Sequence, residues 1–308
     1  SRVLLNRIAN DRLRRALDAA NRKKCCDRKA LERSLLKYLG NASVAGFEIP
    51  IGPQEFEINR GKARYLRDGL RRRKIPSVSI KKRDSIFRDL TLRESPATFV
   101  SLGALVRFNN LAISSDKFTH FFAQGHDYLD VYRSKGSVNA ALRWGLQSEI
   151  GRKGMESTGV MSYGDLAANY AGLTFWLALT DPDAGHVACR NGKWVQTRCF
   201  DWAEFITPAW DEGINIPCYR PGAVRNKINK RISKLVACRC IDHCPPLDRH
   251  RLEGLADFYA PDVLPMLINP NSLAYGGEAG CIPEVGSDDE TTLIQNSAIG
   301  MSLDKWLR

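Results

Sequence analysis

The chain has 308 residues, of which 44% are hydrophobic and 26% charged, and it carries a formal net charge of +12. This ordinary globular composition excludes a disordered or fibrous protein and allows one large domain or two modest ones. No run of about 18 apolar residues occurs, so we expect no membrane-spanning helix. The positive charge favours an acidic partner, which includes nucleic acid, anionic lipid headgroups and the acidic polymers of a bacterial wall.

The N-terminal region, residues 1–95, is predicted to be basic and partly helical. Apolar residues three or four apart predict an amphipathic helix over residues 3–20, and Asp27 predicts the start of a second helix that runs to Leu39. Residues 60–93 are rich in Lys and Arg, which indicates either a solvated helical face or a surface that binds an acidic polymer. Few aromatic residues lie among them, so stacking on single-stranded nucleic acid is not supported. We interpret 1–95 either as an accessory wall-binding region or as helices packed on the core, and 96–308 as a catalytic domain.

The centre of the chain is predicted to be helical, with one turn-rich interruption. The predicted helices cover 116–135, Val138–Ile150, Leu166–Leu179 and 223–236. Ser137 is expected to cap the second of them, and Asp165 lies in the first turn of the third, where a carboxylate suits the helix dipole. Residues 155–163 are rich in Ser, Thr and Gly and are too short for a long helix, so we expect a β-turn or a short hairpin there.

Nine cysteines favour an oxidising compartment, since disulfides form and persist there. The simplest count is four bridges and one spare thiol, and a secreted or periplasmic location with the signal peptide already removed is expected. The alternative is a zinc site, because Cys238, Cys240, His243 and Cys244 place four ligand types within seven residues. That spacing is tighter than the usual paired zinc knuckles, so we favour disulfides.

Glu149 is the strongest candidate for chemistry because it lies in the last turn of a predicted apolar helix. Both the negative end of the helix dipole and partial burial disfavour an ionised carboxyl group, so its pKa is expected to rise. A raised pKa is what a general acid needs to protonate a glycosidic oxygen near neutral pH. The alternatives are a surface carboxylate paired with Arg152 or Lys153, and Glu156 as the acid.

The segment around Glu149 resembles the lysozyme-like superfamily of goose-type and phage lysozymes, chitosanases and lytic transglycosylases. The resemblance rests on three stretches within residues 116–179, namely Ser148-Glu149, Ser157–Val160 and Ser162–Tyr170. It is closest to the wall-degrading members of Gram-negative bacteria, including lysozymes of predatory bacteria that act on deacetylated peptidoglycan. It implies a mainly α-helical, α+β lysozyme-like core with a small β-hairpin, here with a disulfide-tied C-terminal part. The Gly-Leu-Met-Gln run of transglycosylases is absent after the glutamate, which argues against their reaction.

The resemblance implies cleavage of peptidoglycan glycan strands, with the acetylation state of the sugars left open. Asp165 is the candidate second carboxylate, and its alternative is a plain helix N-cap; Ser162 and Tyr163 are candidates to position the attacking water. Thr158, Asn169 and Tyr170 are candidates to bind the sugar chain.

Neither a metal nor an organic cofactor is expected. His120 and His126 are six residues apart, unlike the helical spacing of three or four that ligand pairs favour, and no nucleotide-binding or serine-hydrolase motif occurs. A nucleic-acid partner is not expected either. The competing functions are a non-enzymatic polyanion- or wall-binding protein, with basic faces at 60–93 and 225–239, and a lytic transglycosylase.

Overall fold

The computed structural model describes residues 2–23, 25–39, 77–78, 81–95, 105–151, 153–183, 185–237, 255 and 258–269. The chain is mainly helical with little strand, which confirms the predicted fold class at this coarse level. Its contacts divide it into two units. Unit 1 comprises Ser1–Ser77, Val106–Ser137 and Ala168–Ile206; unit 2 comprises Val78–Leu105, Val138–Ala167 and Thr207–Arg308. The domain boundary that the sequence predicts after residue 95 stays a prediction.

Helices dominate the described residues, and the strands are short. The α-helices are α1 (Arg2–Ala20), α2 (Arg28–Tyr38), α3 (Lys117–Thr119), α4 (Gly125–Lys135), α5 (Val138–Ile150), α6 (Met155–Thr158), α7 (Tyr163–Ala178), α8 (Ala223–Ala237) and α9 (Leu264–Leu267). A π-helical segment, His120–Gln124, joins α3 to α4, and 3-10 turns cover Lys82–Asp84, Trp202–Glu204 and Pro208–Trp210. The strands are β1 (Ser77–Val78), β2 (Leu105–Phe108), β3 (Leu111–Ser114), β4 (Val160–Met161), β5 (Val187–Arg190), β6 (Lys193–Gln196) and β7 (Cys218–Tyr219). They form a three-stranded sheet in the order β1-β2-β3 and the antiparallel pairs β4–β7 and β5–β6.

The two N-terminal helices of unit 1 form as predicted. Helix α1 buries one stripe of residues spaced by three or four, which consists of Leu5, Ala9, Leu13, Ala16, Leu17 and Ala20. The Asp27 carboxylate accepts a hydrogen bond from the Ala30 main-chain N–H at 3.1 Å and so caps α2. Next to this cap, Cys26 forms a disulfide with Cys189 of β5. The bridge therefore ties the start of α2 to the β5–β6 pair.

The aromatic helix predicted over 116–135 is present in unit 1, interrupted by the π-helical segment, and it ends at Gly136. Its three phenylalanines, Phe118, Phe121 and Phe122, are buried and belong to the core. The main chain around Phe121 and Gly125 passes very close to that of α7. A Cβ atom at Gly172 would lie 1.9 Å from the main-chain oxygen of Phe121, and one at Gly125 would lie 2.6 Å from the Cα of Gly172. The two glycines are therefore what permits this crossing.

In unit 2, α5 has the predicted bounds, whereas the prediction for residues 155–163 is wrong. Residues Met155–Thr158 form the short helix α6, which ends at Gly159 in the left-handed conformation, with a φ of 77°. Strand β4 then pairs with the distant β7, with Val160 opposite Tyr219. The prediction assumed a local partner, but the partner strand comes from far along the chain. Helix α7 also begins at Tyr163, earlier than expected.

The basic helix predicted over 223–236 is confirmed as α8, which packs on residues 81–95 within unit 2. Val224 and Ile228 of α8 are buried against Leu90. The Lys227 ammonium contacts a Glu94 carboxylate oxygen at 2.8 Å, and Arg220 donates a hydrogen bond to the Glu94 main-chain oxygen at 2.6 Å. Residues 81–95 are thus joined to α8 by apolar and ionic contacts.

Disulfides are present, but the count of four bridges is wrong. Cys218 is disulfide-bonded in addition to the Cys26–Cys189 pair, whereas Cys25 and Cys199 are exposed free thiols. The remaining seven cysteines cannot form four bridges. The zinc alternative at residues 238–244 lies outside the described residues. Across the described segments, no helix combines the length and the apolar character needed to cross a membrane.

Candidate functional site

Glu149 lies in the last turn of α5 in unit 2, and only 2% of its surface is exposed. It shares the buried side of the helix with Ala141, Leu142, Gly145 and Leu146. The sequence alternative of a surface carboxylate does not fit this burial. A carboxyl group that is buried on an apolar helix face is in the environment on which the expected rise in its pKa depends.

The chain folds back against Glu149 directly after α5. A Cβ atom at Gly154 would lie 2.1 Å from the Glu149 main-chain oxygen and 2.6 Å from its carboxylate Oε2. The turn is held by a hydrogen bond from the Lys153 N–H to the Ser148 oxygen at 3.1 Å, and the Lys153 ammonium lies 4.6 Å from the centre of the Trp144 ring. Gly154 therefore allows the backbone to contact the carboxylate. The sequence marked Gly154 only as a helix stop.

The other candidates in this turn have different surroundings. Glu156 is exposed in the first turn of α6, as expected for a solvated carboxylate. The Thr158 hydroxyl accepts a hydrogen bond from the Val160 N–H at 3.0 Å and lies 2.8 Å from the Gly154 oxygen, to which it donates. Thr158 thus stabilises the turn between α6 and β4, and its proposed contact with sugar stays a prediction.

Ser162 follows β4 and caps helix α7. Its hydroxyl oxygen accepts a hydrogen bond from the main-chain N–H of Asp165 at 3.1 Å and donates one to Glu212 Oε1 at 2.6 Å. Ser162, and not Asp165, therefore occupies the N-cap position. Asp165 is buried in the first turn of α7, where its carboxylate interacts favourably with the helix dipole.

Glu212 is a functional candidate that sequence reasoning missed. It lies just beyond the 3-10 turn Pro208–Trp210, is half-buried, and accepts the hydrogen bond from Ser162. Burial, together with the negative charge of Glu212, raises the pKa of Tyr219 on β7. Tyr163 is fully buried, and desolvation raises the pKa of its phenol to about 12, so it is neutral at physiological pH. The sequence offers one signal, the position of this carboxylate in the Trp210-Asp-Glu212 run.

Asn169 is buried on α7 in unit 1, where it holds His120. Its Oδ1 lies 3.0 Å from His120 Nδ1, and its amide nitrogen lies 3.4 Å from Gln124 Oε1 and from the Tyr128 hydroxyl. Tyr170, the next residue, is partly exposed. His126 is buried 3.4 Å from Asp130, as expected for a core histidine. Asn169 therefore fixes the orientation of the His120 ring.

Asp116 and His120 of unit 1 carry possible metal-ligand atoms that lie within 4.8 Å of each other. Desolvation opposes ionisation of Asp116, but the charges of Lys117 and His120 and a hydrogen bond from Ser114 outweigh it and hold its pKa below the usual value. The fully buried Lys117 places its ammonium 3.7 Å from the Asp116 carboxylate. Since a cation already neighbours this carboxylate, the pair is better suited to an ionic contact than to a metal.

In unit 2 the structure joins Ser162 to Asp165 and Glu212, and it places Gly154 against Glu149. This arrangement offers a buried carboxyl group and a hydroxyl group whose proton points at a second carboxylate, which suits acid–base chemistry. Comparisons of the chain with protein-family models, with curated proteins and with solved structures each found no match.

Proposed function

We propose that the chain cleaves the β-1,4 glycosidic bonds of peptidoglycan glycan strands, with Glu149 as the general acid. The observation that carries the proposal is the burial of the Glu149 carboxyl group at the end of an apolar helix, with the Gly154 backbone against it. A carboxyl group buried among apolar residues is the setting in which desolvation of the charged form can raise the pKa of a general acid.

In the proposed reaction, Glu149 donates its proton to the leaving glycosidic oxygen while water attacks the anomeric carbon. The reaction requires no metal or organic cofactor. The disulfides are compatible with the proposed periplasmic or secreted location, where peptidoglycan is accessible. The net charge of +12 supports association with acidic wall polymers. De-N-acetylated strands are one candidate substrate, and parallel digestion decides between them and native strands.

The test is digestion of purified peptidoglycan, native and chemically de-N-acetylated in parallel, followed by release of soluble fragments. We expect Glu149→Gln to lower the rate by about 10²–10⁴-fold while circular dichroism shows an unchanged fold, because a general acid contributes about that much. The exposed Glu156→Gln is the matched control and is expected to retain activity. Full activity in Glu149→Gln would reject Glu149 as the acid.

Mass analysis of the fragments distinguishes hydrolysis from the transglycosylase alternative. Hydrolysis adds one water molecule for each bond cleaved, whereas a single-acid transglycosylase reaction ends in an internal anhydro-sugar. We expect hydrolysis. Anhydro ends would keep Glu149 as the acid and change the reaction class.

The second candidate function is binding of a polyanion without catalysis, and one surface of unit 2 favours it. The exposed basic residues of 81–93 and of α8, which pack together, are Lys81, Arg83, Arg88, Arg93, Lys230 and Lys234. If binding is the whole function, no fragments will be released by the wild-type chain. Lys230→Glu with Lys234→Glu will then weaken co-sedimentation with peptidoglycan sacculi at low salt.

A further inference from the structure

The Ser162 hydroxyl has a defined direction of hydrogen bonding. A hydroxyl group has one proton to donate, and its oxygen can accept. The Ser162 oxygen accepts from the Asp165 main-chain N–H at 3.1 Å, and its proton is directed to Glu212 Oε1 at 2.6 Å. A further lone pair on the Ser162 oxygen can accept a hydrogen bond from a water molecule or a sugar hydroxyl.

Glu212 is placed to receive a proton. Its Oε1 accepts the hydrogen bond from Ser162, so it lies where a proton that leaves the hydroxyl would arrive. Its negative charge also acts on Tyr219, the residue opposite Val160 in the β4–β7 pair. Glu212, Ser162 and the end of β4 therefore form one group within unit 2.

Glu149 belongs to the same unit as this group and is close to Ser162 in the sequence. Helix α5, which carries Glu149, packs against both α6 and β4, and Ser162 directly follows β4. The segment between Glu149 and Ser162 is held by the turn bonds of Gly154 and Thr158. Glu149 and Ser162 therefore lie at the two ends of one segment whose turns are held by hydrogen bonds.

We propose that Glu212 acts as the proton acceptor for the attacking water through the Ser162 hydroxyl, in an inverting hydrolysis. This inference rests on the proposed function. The water oxygen bonds to the anomeric carbon as the bond to the leaving oxygen breaks, and Glu149 gives its proton to that oxygen. The proton lost by the water passes to the Ser162 oxygen while the Ser162 proton passes to Glu212 Oε1. Glu212 ends protonated and Glu149 ionised, so protons and charge balance.

Asp165 is the competing acceptor, but its contact with Ser162 is through the main-chain N–H, which is a donor. The side chain that receives the Ser162 proton is that of Glu212. Since Glu212 acts through Ser162, it is a positioning residue, and its removal should alter the pH dependence and not only the rate.

The decisive variants are Glu212→Gln and Ser162→Gly, with Ser162→Thr as the conservative control. Glycine retains most of the helix-capping preference but removes the hydroxyl, whereas threonine keeps both the cap and the hydroxyl. We expect Glu212→Gln and Ser162→Gly each to lower kcat by about 10²-fold or more and Ser162→Thr to retain most of it. The double variant should lose no more than either single one, because the two residues act as a unit.

The pH profile of kcat/KM separates this role from a structural one. In the wild type, its acid limb reports the base, and it should disappear in Glu212→Gln. A profile that keeps its shape and is only lowered, or losses that multiply in the double variant, would overturn the role of Glu212.

The anomeric configuration of the products can be measured with the wild-type chain, so this test does not depend on whether a variant folds. Proton NMR of the first products should show the inverted anomer, and retained configuration or anhydro ends would overturn the inference. Loss of activity in Glu149→Gln with full activity in Glu212→Gln rejects this inference alone. Activity in Glu149→Gln rejects the proposed function.

Discussion

Two buried glutamates, one in each unit, differ in what surrounds the carboxylate. Glu32 of α2 contacts cationic side chains: Arg28 Nε lies 3.0 Å from Oε1, Arg133 lies 2.6 Å from the same oxygen, and His126 Nε2 lies 3.9 Å from Oε2. Glu149 of α5 is packed on an apolar helix face with the Gly154 backbone against Oε2. Burial is similar, at 8% and 2% exposed, so burial alone does not distinguish the two.

The surroundings of Glu32 indicate a structural carboxylate. Desolvation opposes ionisation of Glu32, but the neighbouring His126 and hydrogen bonds from Arg133 and Arg28 outweigh it and lower its pKa far below the ordinary value. Such a group stays ionised and cannot donate a proton near neutral pH. Glu149 is the residue that the proposed function makes an acid, and it lies in the last turn of α5 among the apolar residues of the buried face.

Among the variants that test this comparison, the largest effect is expected from Gly154→Ala, which places a methyl group against Glu149. The added Cβ would lie 2.1 Å from the Glu149 main-chain oxygen and 2.6 Å from Oε2, so both the turn and the carboxylate must move. A displacement of about 1 Å in a catalytic group can lower the rate about 10²-fold, and we expect a loss of that size in fragment release.

Gly151→Ala is the matched control in the same turn. Its Cβ would lie 3.1 Å from the Gln147 oxygen, a contact that a small shift relieves and that does not involve the Glu149 carboxylate. Equal losses of activity in Gly151→Ala and Gly154→Ala would show that the turn as a whole, and not the contact with Glu149, sets the activity.

Glu32→Gln tests the structural half of the comparison. Removing the charge leaves Arg28, Arg133 and His126 without their common partner, and we expect a loss of about 2–3 kcal/mol in the free energy of unfolding. If Glu149 is protonated at rest, as the proposed function requires, Glu149→Gln replaces one neutral group by another of similar size and should change stability by less than about 1 kcal/mol. Denaturant unfolding of both variants measures this, and the comparison fails if Glu149→Gln is the more destabilising.

The pH dependence of the Glu32 contribution follows from the direction of its pKa shift. Because the pKa is lowered in the folded state from an ordinary value of 4.5, the stabilisation is complete above 4.5 and is lost as the pH falls below it. The gap in unfolding free energy between wild type and Glu32→Gln should therefore be constant from pH 7 to about pH 5.5 and shrink towards pH 3. A gap that grows on acidification would contradict the assigned shift.

Local features of the sequence predict much of the fold that positions these residues. The apolar spacing and the glycine after Ile150 predict the bounds of α5, and Asp27 predicts the start of α2. Such signals are local, since a cap or a helix stop acts within one turn. The same apolar spacing predicts that Glu149 lies on the buried side of α5.

Contacts between distant segments could not be predicted in this way. Strand β4 pairs with β7, and Ser162 donates to Glu212, fifty positions further along the chain. Two-residue strands carry no periodic signal, and no residue type near Ser162 specifies which distant carboxylate will accept its proton. The close approach of Gly154 to Glu149 is likewise a tertiary contact, because a glycine after a helix indicates only where the helix ends.

The smallest expected effect concerns Glu94, a carboxylate of unit 2 that has a cationic partner like Glu32. A hydrogen bond from Lys227 and the main-chain N–H of Thr91 lower its pKa to about 2. Because Lys227 is partly exposed, Glu94→Gln should cost only about 0.5–1 kcal/mol at pH 7, and less as the pH falls below 4.5. Thermal unfolding at pH 7 and pH 3, with fragment release at pH 7, checks this. Retained activity would extend to unit 2 the rule that a carboxylate held by cations is structural, whereas a loss of activity comparable to that of Glu149→Gln would break it.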